Sequence, residues 1–153
     1  MSEQLALERS APRRRVLVGL APSAGSSAVL RRALQLCRPR ADSELHVAEA
    51  LWLPARLHDR AHVAELAALL RSKVGRLRAF VESRARCQSG PERVFHVRVG
   101  DASEVLRQIA REIGADVIVV GGQAPYARGS LADALLRLAE PSVVVATVPG
   151  GRI

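Results

Sequence analysis

The feature that most narrows the fold is a change of hydrophobic period that repeats along the chain. Short apolar runs alternate with stretches whose apolar residues recur every three or four positions. Arg15–Leu20 (RVLVGL) is the first run. It lacks polar alternation, which predicts a strand covered on both faces. Ala21–Ser27 holds small residues with Pro22 and Gly25 and reads as a loop, with Ser26 or Ser27 placed to cap a helix. In that helix Val29, Leu30, Ala33, Leu34 and Cys37 form an apolar stripe, and Pro39 stops it.

The pattern then recurs. Glu44–Leu53 predicts a second strand, and the stretch to Ala61, with Pro54, a loop. Ala61 to about Arg86 is the longest helical pattern. Val63, Leu66, Leu70, Val74, Leu77 and Val81 lie on one face, and Arg71, Lys73, Arg78 and Glu82 on the other. Val94–Val99 predicts a third strand. Asp101 and Glu104 form a capping-box pattern before a helix whose stripe is Val105, Leu106, Ile109 and Ile113, and Gly114 suits its end. Asp116–Gly121 predicts a fourth strand and Gly122–Arg128 a loop. Ser130 and Asp133 form a second box, before a helix with Leu131, Leu135 and Leu138 as its apolar positions. Pro141–Val148 predicts a fifth strand. Strands buried on both faces and alternating with helices mean an α/β fold: one doubly wound domain, a parallel sheet with helices on both faces. The expected limits are a mobile arm over 1–12, the domain over 13–149 and a tail over 150–153.

Composition excludes several classes. With 153 residues, 48% hydrophobic and 25% charged, the chain is long enough to bury a core and is not globally disordered. No apolar run reaches the ~18 residues that span a bilayer, and the first twelve residues lack the apolar core of a secretory signal. A cytoplasmic protein without membrane insertion is expected. Cys37 and Cys87 stand alone, without CxxC or Cys/His spacing, which argues against a disulfide framework, a zinc site or a thioredoxin-like motif. The formal net charge is +8, and every basic residue except Lys73 is arginine. A basic excess suggests a polyanionic partner. Yet the arginines are scattered over helix faces, and only Trp52, Phe80, Phe95 and Tyr126 are aromatic, too few for a base-stacking platform. Non-specific nucleic-acid binding through Arg13, Arg14, Arg15, Arg31 and Arg32 is therefore the least favoured reading.

Ligands of such sheets bind at the carboxyl ends of the strands. The first loop is small and serine-rich but is no phosphate-binding Walker motif, because Ala24 stands where the second glycine belongs and no lysine follows. Gly121-Gly122 and Gly129-Ser130 are more specific. They flank a short loop at a helix start, where backbone amides beside a hydroxyl can meet an anion, or where glycine merely serves the turn and serine the cap. His46 and His96 read as sheet-face histidines. His58 and His62 lack a third ligand, so no metal site is expected. No Ser/His/Asp pattern or paired carboxylates mark a catalytic centre. Glu49 reads as a lone carboxylate after the second strand, near the cleft.

The run GADVIVVG, the Gly-Ser before the last helix and the proline before the last strand resemble the universal stress protein family. VLVGLAPSAGSSAVLRRAL, SELHVAEAL and VGDASEVLRQIAREIGADVIVVG are similar to other parts of that family. The resemblance implies a five-stranded sheet in the order 3-2-1-4-5, an adenine nucleotide alpha hydrolase-like fold. It also implies a homodimer through the fifth strand (Val143 to Val148) and, in many members, an ATP cleft. Carried onto this chain, that cleft maps to Val47 for the strand-two backbone contact and to Gly121, Gly122, Gly129 and Ser130 for the phosphate loop. Arg128 is a candidate anion contact of this chain's own. The carboxylate expected after the first strand is replaced by Ala21, and the second loop glycine by Ala124. The loop is also five residues short. Alanine where glycine must approach a phosphate bars close contact. The expectation is a non-enzymatic protein of the stress response that binds an unidentified protein partner. No resident cofactor is expected, and ATP or another adenine nucleotide binds weakly if it binds. The alternative is an ATP-binding switch of the same fold.

Overall fold

The computed structural model describes residues 13–22, 25–37, 42–53, 59–84, 91–122, 130–138 and 140–147. In chain order its elements are β1 (Arg14–Gly19), α1 (Ser26–Cys37), β2 (Ser43–Leu51), a 3₁₀ turn (Arg60–His62), α2 (Val63–Arg84), β3 (Glu92–Val99), α3 (Ala102–Ile113), β4 (Val117–Gly122), α4 (Leu131–Leu136) and β5 (Ser142–Thr147). The five strands form one sheet in the order β3-β2-β1-β4-β5, every pair parallel, as expected.

Strand parity divides the core into two layers. On one face Val16, Val18, Leu45 and Val47 pack with Val29, Leu30 and Ala33 of α1 and Leu77 and Val81 of α2. On the other, Leu17, Ala48, Ile118 and Val120 pack with Val105, Leu106 and Ile109 of α3 and Leu135 of α4. The runs without polar alternation are therefore the strands clothed on both sides. α3 is closed at both ends as its sequence predicts. Asp101 accepts a hydrogen bond from the Glu104 amide at 3.2 Å, and Gly114 takes the left-handed conformation at φ 65°. The glutamate arm of the box goes elsewhere: Glu104 pairs with Arg107 at 2.9 Å.

Several boundaries move for physical reasons. Neither Ser26 nor Ser27 caps α1. Ser26 is already helical and its hydroxyl donates to the Ala21 carbonyl, while Ser27 accepts from Arg84 Nε at 2.7 Å. Gly122 belongs to β4, opposite Thr147, rather than to the loop. α4 is only six residues long, so Leu138 lies beyond it. The six-position stripe read along α2 is buried only at Leu77 and Val81, and Val63 is exposed. A 22-residue helix is roughly 33 Å long against roughly 26 Å for eight residues of strand. The first turns of α2 therefore run past the carboxyl end of β3.

Candidate functional site

Order reverses between β1 and β4, and the sheet opens there. β1 pairs with β4 only over Val16–Val18 and Val117–Val119, whereas its ladder to β2 continues through Gly19, opposite Ala48. The Leu20 amide extends that ladder onto the Ala48 carbonyl at 3.0 Å. Beyond Val18 and Val119 the two central strands part, leaving a crevice between Gly19–Ala21 and Val120–Gly122.

Beside it, on the α3 side of the carboxyl ends of β1 and β2, lies a cavity of about 90 Å³ lined by Gly19, Leu20, Ala48, Ala50, Ala102, Leu106 and Leu131. Among the described residues every lining side chain is apolar or absent. The cavity is well under the several hundred Å³ usual for a pocket that engulfs a drug-sized ligand. Gly19 leaves room for Leu106: a Cβ there would sit 2.6 Å from Leu106 Cδ1, so that side chain would have to shift. The glycine thus lets α3 approach β1 and brings Leu106 into the floor of the cavity.

The residues expected to form the site are only partly brought together. Gly121 and Gly122 sit at the end of β4, half-buried and paired with Ala146 and Thr147 of β5. Val47 is wholly buried between Val18 and Phe95 on the α1/α2 side, and the part of β2 that lines the cavity is Ala48 and Ala50. Ala21 ends the first strand region exposed and without a carboxylate. The Ser130 hydroxyl accepts from the Asp133 amide at 3.1 Å, as the cap of α4. Ala124, Arg128 and Gly129 lie outside the described residues, as do His58 and Cys87.

Glu49 is not beyond the second strand but inside it, 6% exposed and on the face that carries Val47 and α2. Burial pushes its carboxyl above the ordinary value, opposed by Lys73 and Arg76 of α2. Burial likewise pushes the Cys37 thiol up to about 11, which leaves it unreactive as a nucleophile.

The two sheet-face histidines are joined, which the strand patterns do not reveal. Parallel register places Ala48 opposite His96, so His46 and His96 are diagonal neighbours on the α3 side. His46 Nδ1 lies 2.9 Å from His96 Nε2, and His46 Nε2 lies 3.1 Å from Glu44 Oε2. The ring planes differ by 20° and the centroids are 5.2 Å apart. That separation is the N···N distance plus the two ring radii, so the rings meet edge to edge in a nearly linear hydrogen bond. Glu44 also accepts from Arg15 Nε at 3.0 Å, and Arg15 donates to the Ile113 carbonyl at the end of α3. His46 and Arg15 hold the Glu44 carboxyl below its usual range. Among the described residues no group of three His, Cys, Asp or Glu is arranged to hold a metal.

A doubly wound parallel sheet with a crevice where its strand order reverses defines the class of α/β proteins that place ligands at the carboxyl ends of their strands. Residues 12–147 match the model of the universal stress protein family, and the chain belongs to that family. Its fold is similar to that of the universal stress protein UspA from Lactobacillus plantarum, with 19% identity, a TM-score of 0.66, and 90% of this chain and 99% of that one covered. It is also similar to a universal stress protein in complex with cAMP (22%, TM-score 0.59, 90% and 98% covered). A third likeness is to the universal stress protein from Archaeoglobus fulgidus in complex with dAMP (23%, TM-score 0.53, 89% and 98% covered). No curated protein sequence matches the chain.

Proposed function

We propose that this universal stress protein is a non-enzymatic, cytoplasmic, homodimeric member that acts in the stress response by binding a protein partner, its nucleotide cleft reduced to a small apolar crevice. The observation that carries the reading is the cavity itself. Among the described residues its lining is made of glycine, alanine and leucine, and Ala21 offers no carboxylate to a sugar hydroxyl. A site lacking the groups that hydrogen-bond a polar ligand leaves that ligand's polar atoms unpaired on entry, which weakens binding steeply. The arginines support the same reading against nucleic acid. Arg13, Arg98, Arg107 and Arg137 are each ion-paired, with Glu92, Glu112, Glu104 and Asp133, so a carboxylate offsets each of these charges. Among the described residues no helix is long and apolar enough to cross a membrane.

A second reading keeps an adenine nucleotide as a weak ligand of the crevice. It is favoured by the cAMP and dAMP complexes of two proteins of similar fold. Calorimetric titration with ATP and Mg²⁺, and with cAMP, separates the two. The expected outcome is no saturable heat corresponding to a Kd below about 100 µM, roughly −5.5 kcal/mol. Tighter binding of either nucleotide overturns the first reading and establishes the second.

A further inference from the structure

We propose that His46 and His96 form a proton-gated clasp between β2 and the edge strand β3, which holds with one added proton and opens with two. The inference concerns the α3 side of the sheet edge and stands whether or not the crevice takes a nucleotide.

The clasp follows from hydrogen-bond bookkeeping. In the state without added protons His46 Nε2–H donates to the Glu44 carboxylate, and His96 Nε2–H donates to His46 Nδ1. One proton enters at His96 Nδ1, and the bridging proton crosses from His96 Nε2 to His46 Nδ1. His46 is now an imidazolium donating from both nitrogens, to Glu44 and to His96, and its charge lies against the carboxylate. Every contact survives. A second proton must go to His96 Nε2, the atom that was accepting. Two N–H donors then face each other across 2.9 Å, and two cations share one edge.

The surroundings do not neutralise that second charge. The groups around the pair are Arg15 from β1, Glu44 from β2, Arg98 from β3 and Glu112 from α3, with Arg13 and Glu92 beside Glu44. Glu44 is shared among Arg13, Arg15 and His46, and Glu112 is engaged with Arg98. Burial, with the neighbouring His46 and Arg98, holds His96 below its ordinary value, and Glu112 opposes them. A histidine kept neutral by the fold and free to protonate once unfolded contributes stability that is full above the unfolded value, about 6.5, and is lost as pH falls from there through the lower folded value. The strand that would give way is β3. Among the described residues it pairs with β2 alone, and none of its own residues is fully buried.

The test follows both rings of the whole chain by ¹⁵N NMR across pH and measures amide exchange of β3 over the same range. The pair should titrate in two macroscopic steps more than about one pH unit apart, as coupled sites do. Across the lower step, protection of the His96 and Arg98 amides, which face β2, should fall at least about tenfold after correction for intrinsic exchange, while Val16 and Val18 in the sheet centre hold theirs. In His96→Gln, whose amide still donates to His46, the pH dependence of β3 protection should disappear. Independent titration of both rings near the ordinary value overturns the clasp, as does equal pH dependence of β3 in wild type and variant. Should the variant fail to fold, the wild-type titration decides alone.

Discussion

Glu49 is a buried carboxylate whose desolvation outweighs the pull of Lys73 and Arg76, and its consequence is a pH dependence opposite to that of most acidic side chains. Its folded value lies above the unfolded one, so the folded state holds a proton more tightly. Stability from this group is complete below the unfolded carboxylate value and is lost as pH rises through the folded one. Glu49→Gln should therefore stabilise the protein by about 1 kcal/mol at pH 8 and by almost nothing near pH 4, the size expected for relieving one buried charge without hydrogen bonds. Denaturation midpoints at the two pH values check it, and a variant less stable than wild type at pH 8 refutes it. The carboxylate itself was legible in the sequence, but its face was not. Glu49 shares its side of β2 with Leu45 and Val47, but which helices cover that side is set by the crossovers and not by the strand's own pattern.

At the scale of elements, Gly19 sets how closely α3 lies on β1. Gly19→Ala should cost about 1–3 kcal/mol, the usual range for overpacking. In a Leu106→Ala background the same change should cost clearly less, because the atom it strikes is gone. Equal costs in the two backgrounds would remove Leu106 from the explanation. Five strands and four helices were legible because their signals are local: apolar runs, caps at Asp101 and Ser130, and a stop at Gly114. What escaped depends on distant partners. The partial burial of α2 reflects a helix longer than the strand beneath it, which periodicity cannot reveal. The extension of β4 through Gly122 is set by Thr147 in β5. The histidine pair needs the β2–β3 register, which no pattern within either strand contains. The cavity at the carboxyl ends of β1 and β2 is lined by side chains from β2, α3 and α4 and from Leu20 after β1, a combination no single segment contains.

For the whole molecule, the two edges of the sheet differ in character. β3 presents Glu92, Arg93 and Arg98, with a clasp behind it, while β5 presents the apolar run Val143–Val145. An apolar, open edge favours pairing with another copy about a twofold axis. Sedimentation equilibrium at micromolar concentration should return twice the chain mass, and a monomer under those conditions rules out the proposed homodimer. The middle of the sheet carries a different consequence. β1 is the hub, yet its partner β4 lies about a hundred residues further along the chain, a span the Arg15 amide closes onto Asp116 at 2.8 Å. During synthesis at about 5–20 residues per second, β1 emerges roughly 5–20 seconds before β4 exists to flank it. Until then one edge of the central strand has no neighbour, and the growing chain carries part of its future core as an exposed template. High contact order of this kind slows folding.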